Sequence, residues 1–214
     1  MMRALITLMV SSLFLTACQS QNRKGEIIDV KLSAPERKAI AAFAEGCFWC
    51  VEEIFEAVVG VDSAVSGYAG GTVAYPTYEL VNTETTGHAE TVLVYYDPNQ
   101  VSYEELVNVF FQSHDPTTPN RQGPDRGSSY RSILFYLTDV EKAIAEERLN
   151  YYAGSGLFAK PIVTELKKLE AFYRAEAYHQ DYIEHHPENP YVQNVSIPRF
   201  KRFQGTYQGN LKNH

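Results

Sequence analysis

The sequence predicts a single domain that combines β-strands and α-helices. Segments rich in β-branched and aromatic residues alternate along the chain with segments whose apolar residues recur at intervals of three and four. The chain has 214 residues, 44% of them hydrophobic and 21% charged, which suits one soluble domain whose core needs no disulfide bonds. We therefore expect an α/β or α+β fold.

Four segments are predicted to be β-strands from their apolar, β-branched and aromatic content: residues 38–44, 89–96, 130–137 and 161–169. Two segments are predicted to be irregular. Residues 114–129 contain three Pro and two Gly, and the tail at 187–214 is also interrupted by Pro and Gly. We expect this tail to wrap around the outside of the domain.

Helices are predicted between these strands. Apolar residues form one helical face over residues 48–58, and Gly60 ends that helix. Two capping boxes, in which a Ser or Thr precedes a Glu by three positions, mark further helix starts at Ser102 with Glu105 and at Thr138 with Glu141. The helix after Thr138 is expected to end near Tyr152, and a last helix is predicted at 171–185.

The charge balance argues against nucleic-acid binding. The chain has 26 acidic and 19 basic residues, a net charge of −7, and no basic cluster is visible in the sequence. A nucleic-acid-binding domain usually carries such a basic surface. We therefore expect no nucleic-acid partner.

The first residues are predicted to be a signal peptide, residues 1–17. Arg3 precedes an apolar stretch at residues 4–15, which is shorter than the ~20 residues of a transmembrane helix. The sequence LTAC at residues 15–18 resembles the lipobox of bacterial lipoproteins, which implies acylation of Cys18 and a polar tether over residues 18–36. An ordinary secretory signal cleaved near Ala17 is the alternative.

Either interpretation places the mature chain outside the cytoplasm. A lipoprotein would face the periplasmic side of a bacterial membrane. We favour the outer membrane because Gln19 follows the acylated cysteine, whereas Asp at that position is associated with retention in the inner membrane.

Cys47 and Cys50 form a C-x-x-C pair at a predicted helix start. The helix N-terminus favours an anion, so we expect it to lower the pKa of the Cys47 thiol. Cys50 follows one turn later on the same face. A static disulfide and half of a zinc site are alternatives, but a short loop gives a disulfide little stabilising effect and no second ligand pair exists for zinc. Redox chemistry is the favoured interpretation, without a metal.

A series of short motifs runs along the chain: GCFWC at 46–50, GYAGG at 67–71, PTY at 76–78, TGHAE at 86–90, HDPT at 114–117, NRQG at 120–123, DRG at 125–127, YRS at 130–132 and YHQDY at 178–182. In their order and spacing these motifs resemble the peptide methionine sulfoxide reductase A family over about residues 38–200. The resemblance implies a two-layer α+β sandwich or roll with a central mixed sheet. We accordingly expect a catalytic domain at 37–200 and a C-terminal tail at 201–214.

The resemblance also implies roles for residues in the matched motifs. Cys47 attacks the sulfoxide sulfur, and Glu90 protonates the sulfoxide oxygen. A buried carboxylic acid that keeps its proton near neutral pH suits that task. The other implied site residues are Tyr78, Tyr130 and Asp125 on the polar side, with Phe48 and Trp49 forming an apolar wall for the S-methyl group. The implied substrate is methionine S-sulfoxide, free or in oxidised proteins.

Attack by Cys47 leaves a sulfenic acid that condenses with a second thiol. Many family members are implied to use cysteines near the C-terminus, but none follows Cys50 here, and Val192 stands where some relatives carry Cys. Cys50 is then the expected resolving residue if Cys18 is acylated. We expect a thioredoxin-type dithiol to reduce the disulfide, no bound cofactor, and a monomer.

Two other functions are compatible with parts of the sequence. A general thiol–disulfide oxidoreductase also carries C-x-x-C at a helix start, but it would leave Glu90 and Asp125 without a task. A non-catalytic lipoprotein that binds a partner through aromatic residues would not depend on Cys47. The reductase is the main hypothesis.

Overall fold

A seven-stranded β-sheet forms the centre of the structure, a computed structural model that describes residues 28–212. Its strands are β1 (Ile28–Asp29), β2 (Ala39–Glu45), β3 (Val61–Ala69), β4 (Ala89–Tyr96), β7 (Ser132–Tyr136), β8 (Glu165–Lys168) and β9 (Phe172–Arg174). They lie in the order β1-β9-β3-β4-β2-β7-β8. Two further strands, β5 (Arg121–Gln122) and β6 (Asp125–Arg126), pair only with each other.

Six α-helices accompany the strands in the described part of the chain: α1 (Phe48–Glu56), α2 (Tyr78–Val81), α3 (Tyr103–Ser113), α4 (Asp139–Gly154), α5 (Tyr182–His185) and α6 (Ile197–Thr206). Short 3₁₀ turns lie at Ser128–Tyr130 and Ala177–His179, and a π-helical turn at Val192–Ser196 leads into α6. None of the helices within residues 28–212 is long and apolar enough to cross a membrane.

The sheet is mixed, and the predicted fold class is confirmed. β2 pairs antiparallel with β4 on one side and with β7 on the other, whereas β7 and β8 run parallel. Residues of β2 are buried on both faces, so its sequence AIAAFAE lacks the alternation of a half-exposed strand. An apolar layer therefore covers each face of this strand.

The two faces of the sheet are covered differently. On one face Phe43 of β2 stacks on Phe55 of α1, with ring centroids 4.5 Å apart, and also packs against Phe110 of α3. The other face contains small residues of β2 together with Leu93 and Phe172. This second layer is completed by Val30, Leu32 and Ala34 from the segment after β1.

The predicted tether at 18–36 is therefore wrong over part of its length. Ile28 lies opposite Arg174 in an antiparallel pair, and Val30 N–H donates to the Phe172 carbonyl at 2.9 Å. Apolar side chains at every second position pack on the sheet, a periodicity that was missed because the segment is mostly polar. The predicted signal peptide at 1–17, Cys18 and the tether up to residue 27 lie outside the described residues.

Several predicted elements are confirmed by the structure. The strand at Ala89–Tyr96 has the predicted bounds, and α1 and α3 begin where predicted. At α4 the Thr138 side chain accepts from the Glu141 N–H, and the Glu141 carboxylate accepts in return from the Thr138 N–H. Side chains of Ser102 and Thr138 cap the starts of α3 and α4, and both caps are visible in the sequence, whereas α1 has no side-chain cap.

Other predictions are wrong. Residues 171–185 form β9, a 3₁₀ turn and the short α5 rather than one helix, because Tyr173 pairs with Tyr68 of β3 in the sheet. The segment 114–129 contains the hairpin of β5 and β6, and the tail contains α6. The expected domain boundary at residue 200 falls inside α6, and β3 had no predicted counterpart.

Candidate active site

A tight turn between β2 and α1 presents Cys47. Gly46 has φ of 94°, a conformation that glycine adopts without strain, and a Cβ at this position would lie 2.5 Å from Gln122 Cβ. Cys47 is the N-cap residue of α1, as predicted, and Cys50 lies in the first turn of the helix. The turn therefore places both thiols at one end of α1, beneath the loop that carries Gln122.

The helix start does not lower the pKa of Cys47, contrary to the prediction. Cys47 is only 6% exposed, and burial raises its pKa well above the usual value. The Phe48 N–H, at the start of the helix, donates to Glu90 Oε2 at 3.0 Å instead of to sulfur. The first amide of α1 is thus used by a carboxyl group.

Cys50 carries the more acidic thiol of the pair. The hydrogen bond from Cys47 lowers the pKa of Cys50 to about 7 against the opposing effect of burial, and Arg199 and Ser196 act in the same direction as Cys47. The Cys50 side chain is 2% exposed, with its sulfur 3.2 Å from Ser196 Oγ. At neutral pH the negative charge of the pair therefore resides mainly on Cys50.

Glu90 lies on β4 below the start of α1. Its side chain is 2% exposed, and burial raises its pKa to about 8, with a smaller contribution in the same direction from Asp125. The hydrogen bond from Phe48 N–H opposes this shift only partly. Glu90 is consequently a carboxylic acid that keeps its proton at neutral pH, as the sequence led us to expect.

Tyr78 at the start of α2, Asp125 of β6 and Tyr130 at the end of the following 3₁₀ turn come to the same place. Burial raises the pKa of Tyr130, and Glu90, Tyr78, Cys47 and Asp125 are all close enough to raise it further. The pKa of Tyr78 is likewise raised by burial and by Glu90 and Cys47. The polar residues predicted from the sequence thus form one cluster around Cys47.

Hydrogen bonds to the carboxylates of buried Glu176 and exposed Glu84 hold the segments that carry these residues. The Tyr78 N–H at the start of α2 donates to Glu176 Oε1 at 2.9 Å, and Glu176 Oε2 accepts from the Tyr68 hydroxyl. Glu84 accepts from the side chains of Ser128 and Ser129 and so fixes the turn that carries Tyr130. Asp125 is positioned by the β5–β6 hairpin.

Phe48 and Trp49 are placed at different depths. Phe48 is 1% exposed and packs under Trp49, with ring centroids 6.3 Å apart. Trp49 is half-buried, stacks on Tyr182 at 3.7 Å, and donates its indole N–H to His179 Nδ1 at 3.1 Å. Burial lowers the pKa of His179 to about 4, so this histidine is a neutral acceptor that orients the indole.

The sequence analysis missed Tyr191, which lies in the predicted tail. Its hydroxyl donates to Asp125 Oδ2 at 2.5 Å and is in hydrogen-bonding contact with Cys47. Its ring meets Trp49 edge-on, with the planes at 81°. The only signal for Tyr191 in the sequence is that it follows Asn-Pro directly and precedes Val192, where the resemblance implies Cys in some relatives.

A buried pair of thiols beside a protonated carboxyl group and several tyrosine hydroxyls is the arrangement of a thiol-dependent redox enzyme. The model of the family described as peptide methionine sulfoxide reductase matches residues 39–211. The chain belongs to the peptide methionine sulfoxide reductase family and is an enzyme of that class.

Individual relatives cover most of the chain. The peptide methionine sulfoxide reductase MsrA of Sulfolobus acidocaldarius is 49% identical over 77% of this chain and 92% of its own length. That of Thermus thermophilus is 45% identical over 81% of this chain and 97% of its own length. Among solved structures, reduced Mxr1 from Saccharomyces cerevisiae matches with a TM-score of 0.67, 32% identity, and coverage of 72% of this chain and 89% of its own. Methionine sulfoxide reductase A of Corynebacterium diphtheriae matches with a TM-score of 0.65, 34% identity, and coverage of 72% and 78%.

Proposed function

We propose that the protein reduces methionine S-sulfoxide, free and within oxidised proteins, to methionine at Cys47. The observation that carries this proposal is Glu90, a buried acid with a pKa of about 8 at the start of the helix that presents Cys47. The overall reaction converts one sulfoxide and two thiols into methionine, one disulfide and water. Membership of the family supports the same substrate class.

In the first step the sulfoxide oxygen needs a proton, because its sulfur is otherwise a poor electrophile. Glu90 gives that proton while the Cys47 sulfur attacks. Tyr78 and Tyr130, whose raised pKa values keep their hydroxyls protonated, donate hydrogen bonds to the oxygen, and Asp125 with Tyr191 closes the polar side. The step releases methionine and leaves a sulfenic acid on Cys47.

The apolar end of the substrate is assigned to Trp49 and Phe48. The indole is held by its stack on Tyr182 and its hydrogen bond to His179, so its face is fixed before a ligand arrives. A fixed aromatic face excludes water from an S-methyl group at little cost in side-chain entropy. We assign the methyl-binding wall to this indole and to Phe48 beneath it.

Resolution of the sulfenic acid falls to Cys50. It is the other cysteine within residues 28–212 and already lies in hydrogen-bond contact with Cys47. The product is a Cys47–Cys50 disulfide, which a thioredoxin-type dithiol reduces by two thiol–disulfide exchanges. No bound cofactor is required by this cycle.

The test uses the full chain with Cys18→Ser, so that two thiols remain. The protein is reduced, freed of reductant and mixed with methionine S-sulfoxide, and both methionine and thiols are counted. One methionine formed with two thiols lost per chain is expected. Methionine without loss of the second thiol would reject Cys50 as the resolving residue. No methionine, with exchange of a model disulfide intact, would favour a general thiol–disulfide oxidoreductase.

We also propose that the protein is exported and anchored through acylated Cys18, with the outer membrane favoured, and that it repairs oxidised exported proteins as a monomer. Support for export comes from the apolar stretch and the lipobox-like LTAC sequence at residues 15–18. Labelling of cells with radioactive palmitate tests the anchor. Label in the wild-type chain and none in Cys18→Ser is expected, and equal labelling would exclude Cys18 as the lipid site.

A further inference from the structure

Cys50 borders a cavity of about 180 Å³ whose lining does not include Cys47. Asp125, Tyr191, Arg199 and Arg202 are among the residues that line it. The reaction proposed above gives Cys50 a task but gives none to the cations of α6. The role of Arg199 and Arg202 in this cavity therefore needs an explanation.

Arg199 is buried, unlike most arginines. It is 6% exposed, its Nε donates to the Ser113 carbonyl at 3.0 Å, and its Nη2 lies 3.2 Å from Glu45 Oε1. Within residues 28–212 this Nη2 makes no contact with hydrogen-bond geometry. The guanidinium is thus fixed in position by Ser113 and Glu45, while its charge is available to other groups nearby.

The π-helical turn before α6 explains how Arg199 reaches the cysteine. Val192–Ser196 forms this turn, and Ser196 and Arg199 are three residues apart, on one face of the helical segment. Ser196 Oγ lies 3.2 Å from Cys50 Sγ, and Arg199 lines the cavity that Cys50 borders. One turn of helix therefore presents a hydroxyl and a cation to the same sulfur.

Charges from other elements also face Cys50. Asp125 from the β5–β6 hairpin raises the pKa of the Cys50 thiol. Cys50 in turn raises the pKa of Glu90 on β4. Cys47 and Tyr191 lie on the remaining sides. Arg199 is the cation among these groups that lowers the Cys50 pKa, and it opposes the effect of Asp125.

We propose that Arg199, together with Ser196, is a positioning residue that holds the Cys50 sulfur in its nucleophilic form and aimed at Cys47 for the resolving step. This inference rests on the proposed function. In the step itself the Cys50 thiolate attacks the Cys47 sulfur of the sulfenic acid, the sulfur–sulfur bond forms, and the S–OH bond breaks. The departing hydroxide takes up a proton and leaves as water, so Cys50 is oxidised as the Cys47 sulfur is reduced.

The size of the effect follows from the thiolate fraction. With the Cys50 pKa at about 7, half of the molecules carry the thiolate at pH 7. The hydrogen bond from Cys47 is the larger cause of the lowered pKa and remains, so loss of the cation raises the pKa at most toward the ordinary thiol value of about 8.5 and lowers the thiolate fraction at pH 7 by up to roughly tenfold. The resolving step is expected to slow by about the same factor.

The experiment compares Arg199→Met, Arg199→Lys and Ser196→Ala, all in the full chain with Cys18→Ser, in single turnovers with methionine S-sulfoxide. Methionine release is expected to change less than about twofold, while disulfide formation slows by up to roughly tenfold in Arg199→Met and less in Ser196→Ala. Arg199→Lys is expected to restore most of the rate. The matched control is Arg202→Met, which removes an exposed cation from the same cavity and leaves both steps unchanged.

A pH profile separates this role from a merely structural one. In a Cys47→Ser background, the rate of Cys50 alkylation by iodoacetamide is followed against pH, and Arg199→Met is expected to shift the midpoint of this profile upward, by up to about one unit. An unchanged midpoint with an unchanged disulfide rate would overturn the inference, as would an Arg199→Lys chain as slow as Arg199→Met. Failure of the parent chain to form methionine would instead reject the proposed function.

Arg199→Met also leaves the buried Glu45 without its arginine, which endangers folding. If Arg199→Met does not fold, both measurements are made instead on the double variant Glu45→Gln with Arg199→Met, in which the unpaired Glu45 charge is removed. Ser196→Ala retains the Arg199–Glu45 pair and gives an independent result. If the midpoint of the Cys50 alkylation profile shifts in neither the double variant nor Ser196→Ala, the proposal is contradicted.

Discussion

The backbone N–H of Phe48 donates a hydrogen bond to the carboxyl group of Glu90 at 3.0 Å. This contact joins the start of α1 to the beginning of β4 and places the acid next to the start of the helix that carries Cys47. Burial keeps the pKa of the Cys47 thiol high, while Cys50 in the same turn has the lower pKa. The hydrogen bond itself fixes the position of the acid relative to the two thiols.

Replacement of the acid tests its role directly. Glu90→Gln keeps the shape and the hydrogen bond from Phe48 but cannot supply a proton. Methionine formation in single turnovers is expected to slow by roughly 10²–10⁴-fold. Glu79→Gln, which alters an exposed acid on α2, is the control and should retain the parent rate. Equal rates in the two variants would remove Glu90 from the mechanism.

Loss of the Glu90 proton should slow the first step at alkaline pH relative to a chain that has no such proton. Burial raises the Glu90 pKa to about 8, so the required protonated form is present below that pH and disappears above it. The Cys47 thiol also has a raised pKa and ionises as pH rises, so the rate is compared with that of Glu90→Gln, which contains the same thiol. The ratio of the parent rate to the Glu90→Gln rate is expected to fall tenfold per pH unit beyond about pH 8. Rapid-quench measurements between pH 6 and 10 check this, and a ratio that is flat or still rising at pH 10 would contradict the assignment.

Removal of the resolving thiol should separate the two halves of the cycle. Cys50→Ser, in the Cys18→Ser chain, is expected to form one methionine per chain and then to stall with thioredoxin and its reductase as the electron source. The reason is that no disulfide forms for the dithiol to reduce. The chain that retains Cys50 should cycle continuously under the same conditions. Sustained turnover in Cys50→Ser would move the resolving step to another group.

Glu52 should make stability depend on pH. It is 2% exposed, burial raises its pKa to about 8, and its Oε2 accepts hydrogen bonds from Ser66 Oγ and the Asp181 N–H. The unfolded chain releases this proton near pH 4.3, so between about pH 4.3 and pH 8 the folded state binds the extra proton. Its stability therefore falls by up to about 1.4 kcal/mol per pH unit as pH rises.

Glu52→Gln removes this penalty and keeps both hydrogen bonds through its amide oxygen. Urea unfolding at pH 5 and pH 8 is expected to show the variant gaining stability relative to the parent as pH rises. Glu90, whose pKa is also raised, is present in both chains and cancels in the comparison. A difference between the chains that does not change with pH would show that Glu52 is ionised in the folded protein.

Local chemistry made parts of this structure predictable. The capping pair Thr138 and Glu141 and the aromatic, β-branched run Ala89–Tyr96 contain the information for their own conformation. The order of the motifs also predicted that one site contains Cys47, Glu90, Tyr78, Tyr130 and Asp125. Site residues that lie within a recognisable sequence motif could therefore be predicted from the sequence.

What the sequence did not reveal depends on contacts between distant segments. Tyr173 lies in a strand because Tyr68 of β3 and Asp29 of β1 pair with it on either side, although its segment was predicted to be helical. The direction of the Cys47 pKa shift depends on burial by the loop and tail and on Glu90, 43 positions away along the chain. Tyr191, Ser196 and Arg199 approach the thiols only through the turn before α6.

The pairing of β1 with β9 limits how far the domain can travel. Because residues from Ile28 onward belong to the sheet, only the ten residues 18–27 remain between a lipid on Cys18 and the folded body. Fully extended, they span at most ~35 Å. In a chain lipidated at Cys18, the catalytic domain would then work within a thin layer next to the bilayer, and damaged proteins would have to come to it.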